Sequence, residues 1–405
     1  MSTLGERIRK LRNERKLTLV ELAGNQMTKG MLSLIENNKA SPSMENLTYI
    51  AEQLGVPTAD LLGNHIAQEE ELLDRIQHIL KNDRPFHKFA AEIWALYDAE
   101  HTLSDHVSGA QLAVYFGKSA YFMGKSIAPF FTHAEEVYKS LHAADLWINT
   151  VLERVKLLIN DQSYEEAIQF LTLKENDLHN LVIQPSPMSL LEWNFYLAAI
   201  QFSLGSYHKG METIDKSMEL SRKHHIYFMM NQLLRMGTAV EMITSHKNYV
   251  GKYLNKLKQY MVFSEDEDLY VYVPYIETHY YTSYKLDIVK AEKLLARVNF
   301  KDVAEMYIPF LYLERGKILY YKNNYHEALD LFENVKFPES LYHPIDQSVL
   351  ASRYTFIIKI AKEINDSKLM NKAIELGSQA YEPLPASFYK EQFYKLVQES
   401  SQENK

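Results

Sequence analysis

Apolar residues recur at helical spacing from the first turns of the chain. Leu4, Ile8 and Leu11 fall at i, i+4 and i+7, the inward stripe of a helix over residues 3–15. Thr18 precedes Leu19, Leu22 and Ala23, and Glu21 three residues on completes a capping-box pattern, so a very short second helix starts there. Gly24-Asn25-Gln26 breaks it. Thr28 caps a third helix with Met31, Leu32 and Ile35 inward. Asn37-Asn38 stops it, because Asn tolerates the left-handed conformation of a helix end. Ser43 caps a fourth helix over Leu47, Ile50, Ala51 and Leu54, ending at Gly55. A last short helix, Ala59 to Leu62, precedes a domain end at Gly63-Asn64. Residues 66–82 then place Ile66, Leu72, Leu73, Ile76, Ile79 and Leu80 on one stripe, with Glu69-Glu70-Glu71 expected on a solvated face. Asn82-Asp83-Arg84-Pro85 breaks this helix, and from Phe86 onward amphipathic helices alternate with short breaks.

Two helices as short as those over 18–36, joined by three or four residues, cannot bury themselves. They make sense as a helix-turn-helix whose second member enters the DNA major groove, the bland alternative being a small helical bundle without DNA. The residues resemble the lambda-repressor-like (XRE-type) helix-turn-helix over positions 4–62. The matching residues are Arg7-Ile8-Arg9-x-Leu11-Arg12, Leu17-Thr18, Glu21-Leu22-Ala23, Leu32-Ser33-x-Ile35-Glu36-Asn37, Pro42 and Leu54-Gly55-Val56. Two positions depart from that pattern: the turn before Thr28 is about one residue short, and Asn38 stands where the family has Gly. On this resemblance Thr28, Lys29, Met31 and Ser33 are expected at base edges, with Gly30 permitting close approach. Asn38, Lys39 and Ser41 are expected on phosphate with Arg9 and Arg12, and Glu36 in a hydrogen bond that holds the domain together.

The remaining chain repeats. Asn324-Tyr325-His326-Glu327-Ala328 is echoed by Ser163-Tyr164-Glu165-Glu166-Ala167, Ser206-Tyr207-His208-Lys209-Gly210 and Asn248-Tyr249-Val250-Gly251-Lys252. Asp287-Ile288-Val289-Lys290-Ala291 fills the one missing period, which gives five units of 37–43 residues. Each echo lies between two helical stretches, so the unit is a helical hairpin with Tyr at its turn and a small residue where its helices press together. The stretch LERGKILYYKNNYHEALDLF resembles a tetratricopeptide repeat, with Gly316, Ala328 and Phe332 at the 12- and 16-residue offsets and Tyr325 in its usual place. Ala198, Tyr207, Gly210 and Ile214 follow the same frame. Lys372-Ala373-Ile374 suggests a sixth unit, Phe388-Tyr389 and Phe393-Tyr394 a cap, and Ser400–Lys405 a frayed end. A generic helical bundle is the alternative to a divergent array.

Composition agrees with an all-α, soluble protein: 46% apolar residues, and only 14 Gly and 12 Pro in 405 residues. Charge adds an asymmetry. Residues 1–64 carry eight Lys/Arg against seven Asp/Glu, six of the eight within Arg7–Lys16, while residues 65–405 carry 36 against 45. The basic face is local, attached to an acidic body that resists adhesion to phosphate. The absence of Cys excludes disulfides, thiolate metal sites and cysteine nucleophiles. The amino-terminal stretch has no apolar signal core and no window approaches a membrane span, so a cytoplasmic location away from the membrane is expected.

Enzymatic chemistry is not in view. Gly117-Lys118-Ser119 and Gly124-Lys125-Ser126 lack the earlier glycine of a phosphate-binding loop and read as helix-packing residues. Glu265-Asp266-Glu267-Asp268 lacks the spacing of a calcium loop and reads as a solvated loop, and the adjacent His224-His225 project apart. No catalytic residue, metal site or cofactor is expected.

The combination of helix-turn-helix and degenerate repeats resembles the RNPP group of Gram-positive regulators, nearest to its NprR-like branch. The resemblance implies a right-handed superhelical array of tetratricopeptide-like hairpins that binds a short signalling peptide on its concave face. It further implies a homo-oligomer, dimer or tetramer, that reads double-stranded operator DNA in quorum sensing, with peptide binding changing the spacing of the DNA-reading heads. The division expected is 1–64 for DNA, 65–85 as a connector helix and 86–405 as the repeat domain. Asn194, Asn231, Arg235, Glu277, Tyr280, Glu314 and Lys317 are polar positions within apolar stripes and the candidates for peptide contact. Arg235 is the choice for a peptide carboxylate, since its planar fork suits one. Other readings stay open: a scaffold sequestering a protein such as a response regulator, or a DNA-binding regulator gated by a small molecule.

Overall fold

The computed structural model describes residues 4–58, 61, 65–81, 84–97, 103–300, 303–336 and 343–403. Among them every regular element is a helix, and the chain divides into two compact units, Met1–Arg154 and Val155–Lys405. The expected helix end at Leu62 and domain end at Gly63-Asn64 lie outside the described residues.

In the first unit α1 (Leu4–Glu14), α2 (Leu19–Ala23), α3 (Lys29–Glu36) and α4 (Met44–Leu54) are set by local capping. Thr18 Oγ1 accepts from the Glu21 N–H at 3.2 Å, and Glu21 Oε2 accepts from the Thr18 N–H at 2.7 Å, a reciprocal capping box. Thr28 and Ser43 cap α3 and α4 through the N–H groups of Met31 and Asn46, and Gly55 closes α4 at φ +58°. These short helices share one core of Ile8, Leu22, Leu32, Ile35, Leu47, Ile50 and Leu54. Asn38 has φ +55°, the left-handed conformation expected of an Asn that stops a helix.

A second core follows. Leu73 and Ile76 of α5 (His65–Leu80) pack with Ile93 of α6 (Ala90–Trp94) and with Leu112 and Phe116 of α7 (Val107–Phe122). The expected connector helix is thus a packed element. Glu69 is not on a solvated face: it is fully buried and accepts from Ser104 N–H (2.8 Å), Ser104 Oγ (2.6 Å) and Ser108 Oγ (2.8 Å). Gly117 admits the ring of Phe131 from α8 (Ala128–Ser140), whereas Gly124, at φ +65° with open space around it, is a turn residue and not a packing one. The unit boundary falls within α9 (Ala144–Asn160).

The second unit is an array of helical hairpins. After α10 (Tyr164–His179) come α11 (Pro187–Ser203) with α12 (Tyr207–His224), and α13 (Met230–Ser245) with α14 (Lys252–Ser264). Next are α15 (Glu267–Tyr280) with α16 (Ile288–Leu295), and α17 (Ile308–Tyr321) with α18 (Tyr325–Glu333). The short α19 (Pro344–Ala351) leads into α20 (Arg353–Glu363), paired with α21 (Ser367–Tyr381), and α22 (Phe388–Glu403) ends the described chain. Tyr164, Tyr207 and Tyr325 open α10, α12 and α18, as the repeat requires. Tyr249 does not open a helix, because α14 begins three residues later, after Gly251 at φ +74°. The working register of that hairpin is Gly237 against Tyr253. In Gly237–Tyr253, Gly316–Phe332 and Gly377–Phe393 alike, a Cβ on the glycine would come within 3.0 Å of the ring. Asp266 is not a loop residue open to solvent but caps α15 through the Asp268 N–H at 3.1 Å. The expected frayed end remains helical to Glu403.

The array is not purely nearest-neighbour. His343, at the start of α19, places Nε2 3.3 Å from the carbonyl of Ala199 in α11, and the Tyr207 hydroxyl donates to the Ala386 carbonyl at 3.3 Å. The stretch from His343 to α22 therefore crosses back to the α11–α12 hairpin, so the unit is not held by nearest-neighbour contacts alone.

Candidate nucleic-acid interface and inner cavities

The amino-terminal end of α3 is open: Thr28, Lys29 and Gly30 are all exposed. A Cβ on Gly30 would meet only Thr28 Oγ1, at 3.8 Å. Ser33 is half-buried one turn on, and the Asn37 side-chain amide donates to its carbonyl at 2.6 Å. Met31 is half-buried and packs against the domain core. Leu34 is 45% exposed at i+4 from Gly30, on the α3 surface.

The basic helix α1 is largely engaged inside the domain. Arg12 Nε and a terminal nitrogen meet the two carboxylate oxygens of Glu36 at 2.6 and 2.9 Å, and its other terminal nitrogen donates to the Leu17 carbonyl at 2.9 Å. Its side chain is 13% exposed and its guanidinium is engaged within the domain, a structural role beside the phosphate contact expected of it. The Glu36 hydrogen bond raises the Arg12 pKa further, so the guanidinium stays charged. Arg9 is 43% exposed and reaches both Glu36 and Asn37. Arg7 donates to the Leu61 carbonyl at 2.9 Å. Asn38 Oδ1 accepts from the Gly5 N–H at 3.2 Å, tying α3 to the start of α1. Lys29, Lys39 and Ser41 remain exposed around α3.

In the second unit Arg235 lies beside a cavity of about 90 Å³ that Tyr272, Tyr307, Phe310, His279 and Asp346 also line. Its guanidinium carbon stands 4.2 Å from the Tyr272 ring centroid and 5.4 Å from that of Tyr307. Burial pushes the Asp346 carboxyl up, against the opposing charges of His343 and Arg235. The other peptide candidates scatter. Asn194 is half-buried; Asn231 donates to Asp266 while its own Oδ1 is buried without a partner. Glu277 accepts from Lys258 at 2.7 Å, and Tyr280 is buried among Tyr249, Tyr281 and Tyr284.

Glu314 and Lys317 are not presented to a peptide backbone: they are 0% and 1% exposed and bonded to each other at 2.9 Å. His279 Nδ1 lies 2.7 Å from Glu314 Oε1, and its Nε2 lies 2.6 Å from the Tyr389 hydroxyl, itself 2.6 Å from that of Tyr284. Burial opposes the Glu314 charge, but Lys317 and His279 prevail and hold its pKa at about 2. Burial, then the Lys317 charge, holds His279 below its ordinary value. The ring is therefore neutral, with Nδ1–H donating to Glu314 and Nε2 accepting from Tyr389.

Residues 5–64 match the family described as a helix-turn-helix domain. Residues 5–64 are a helix-turn-helix domain. Its α2 and α3 are the paired helices, and the exposed Thr28–Gly30 end belongs to the second of them. The immunity repressor protein of Bacillus phage phi105 is 36% identical over 70 residues, 17% of this chain. The match spans 49% of that repressor, about half its length. Among solved structures, PlcR of Bacillus thuringiensis, in complex with the peptide PapR7 and DNA, aligns over 74% of this chain and 100% of its own. It does so at 18% identity and a TM-score of 0.32. The apo competence regulator ComR of Streptococcus vestibularis aligns over 93% of this chain and 97% of its own, at 13% identity and a TM-score of 0.28.

Outside the helix-turn-helix domain the described residues contain no helix long and apolar enough to cross a membrane, and no cluster of three or more His, Asp or Glu arranged for a metal. The surroundings of Arg235 are where sequence reasoning had least purchase. Asp346 lies 111 positions further along, on a helix no repeat echo marks.

Proposed function

We propose that this chain is a cytosolic transcriptional regulator. Residues 1–64 read operator DNA through the exposed end of α3, and residues 86–405 sense a short signalling peptide, with 65–85 joining the two. The observation that carries the sensing half is Arg235, its guanidinium laid against the Tyr272 ring beside a partly apolar cavity closed by Asp346. A fixed guanidinium fork next to an apolar recess suits a peptide carboxylate with an adjoining apolar group.

A carboxylate arriving at Arg235 meets the half-buried Asp346, a like charge on α19. Because α19 also leads from the His343–Ala199 contact, displacing it alters that contact across the array. One small reader contacts few phosphates, so the regulator acts as a homo-oligomer whose heads meet half-sites about one or more turns of DNA apart. A tenfold change in DNA affinity needs only about 1.4 kcal/mol of differential peptide binding.

Titration calorimetry of the full chain with candidate peptides, alongside fluorescence anisotropy on operator DNA and mass measurement of the oligomer, tests this. Saturable peptide binding that shifts DNA affinity and is lost in Arg235→Gln supports it. Operator binding unchanged by any peptide, in a chain that binds none, sinks the sensing half and leaves the DNA half standing.

A further inference from the structure

A second cavity of about 210 Å³ opens among α17, α20, α22 and the wide turn Tyr281–Lys285 that follows α15. Three lysines line it, Lys317, Lys359 and Lys395, against one carboxylate, Glu399. Lys317 is paired with Glu314, but Glu314 is shared with His279 and Thr282, so no surplus negative charge remains there. Lys359 has no carboxylate in contact; its ammonium lies 5.0 Å from the Phe356 ring centroid. Lys317 lies 5.8 Å from the same centroid. Two cations thus flank one ring in a largely buried site. Burial, and then the Lys317 charge, holds the Lys359 pKa below its ordinary value.

The hydroxyls point the same way. Thr355 is 7% exposed, lines this cavity and leaves its Oγ1 without any hydrogen-bond partner. Native folds rarely leave a buried hydroxyl so. Ser283 Oγ accepts from Lys317 at 3.1 Å, which leaves its own proton to donate. Cations and donor hydroxyls converging on a cavity, with charge left over, define the chemistry of what fits: an acceptor bearing negative charge.

We propose that this cavity is a binding site for a small oxyanion, a phosphate or carboxylate group, held between Lys317 and Lys359 with Thr355 and Ser283 donating hydroxyl protons. The oxyanion offsets the Lys359 charge, which has no carboxylate in contact, and joins α20 and α22 to the turn after α15. It is independent of the peptide reading at Arg235.

The test is titration calorimetry of the full chain with inorganic phosphate and, separately, with succinate, in a buffer free of other polyanions. Saturable binding of phosphate alone identifies a phosphate group, of succinate alone a carboxylate, and of both a site for either. Lys359→Met is expected to weaken binding about tenfold or more, and Thr355→Val by a smaller factor. Glu399→Gln, which removes a like charge from the lining, is expected to tighten it. Thermal melts establish that each variant is folded. Saturable binding by neither anion overturns the proposal. So does folded Lys359→Met and Thr355→Val protein that binds like the parent, or displacement of the anion by chloride at equal ionic strength.

Discussion

Arg12 of α1 and Glu36 of α3 form a two-point ion pair, at 2.6 and 2.9 Å, with Glu36 only 2% exposed. The pair clamps the helix expected to meet phosphate onto the helix expected to meet bases. Removing the arginine leaves the buried carboxylate with only the longer, half-exposed contact to Arg9 at 3.4 Å, so the loss approaches the roughly 3–5 kcal/mol of a broken buried pair from below. Arg12→Ala should therefore lower the denaturation midpoint of the helix-turn-helix domain sharply. DNA binding should fall in step with the unfolded fraction while its salt dependence keeps the same slope. A normal midpoint with a shallower salt slope would return Arg12 to the phosphate backbone.

Gly30 offers a cleaner separation of stability from recognition. The space around its missing Cβ is open, so alanine fits the DNA-free chain and gains helix propensity, up to about 1 kcal/mol. If the bare backbone is there for close approach to DNA, Gly30→Ala yields a more stable protein with about tenfold weaker operator binding. Anisotropy titrations and melts on the same preparation decide it; unchanged affinity would remove Gly30 from the interface.

What the sequence revealed, and what it hid, follows from the reach of each interaction. The caps at Thr18, Thr28 and Ser43 act over three residues, and the stop at Asn38 on its own backbone, so local pattern located them all. The small-residue and aromatic pairing at Gly316–Phe332 has a fixed offset and was legible for the same reason. Tyr249 misled because the turn before α14 is longer than its echoes, and motif spacing cannot see an inserted turn. Glu69 reads as one of three solvated glutamates until Ser104 and Ser108, over thirty positions away, cover it. The internal partners of Arg12 and Glu314 were hidden because a polar residue in an apolar stripe looks the same whether its partner is a ligand or another turn of the chain.

The glycine pairs carry a quantitative expectation. In Gly316→Ala the new methyl would meet the Phe332 ring within 3.0 Å, and both residues are buried. Overpacking of this kind costs about 1–3 kcal/mol. Shortening the plug as well, in Gly316→Ala/Phe332→Leu, should recover part of the loss, a coupling that a double-mutant cycle measures. Strictly additive losses would show that the close approach does not set the hairpin's packing.

Acid should loosen the array through His279. Burial, then the Lys317 charge, places its folded pKa below the unfolded value of 6.5. The folded chain therefore binds this proton less readily than the unfolded one, so the stabilisation is complete above that value and declines as pH falls toward the folded pKa. His343, also held down by burial, adds a loss in the same direction. Glu314, held at about 2, adds a second loss below its unfolded 4.5. Asp346, pushed up by burial, works oppositely, its contribution fading as pH rises through its folded pKa. Urea denaturation between neutral pH and about 5 should show stability falling, with a shallower slope in His279→Gln, where the His343 loss and the opposing Asp346 contribution remain. Below about 4.5 both proteins should lose further stability as Glu314 titrates, the variant less, because His279 no longer helps to hold that carboxyl down. Equal slopes in parent and variant across the upper range would mean that the His279–Glu314 contact carries no proton linkage.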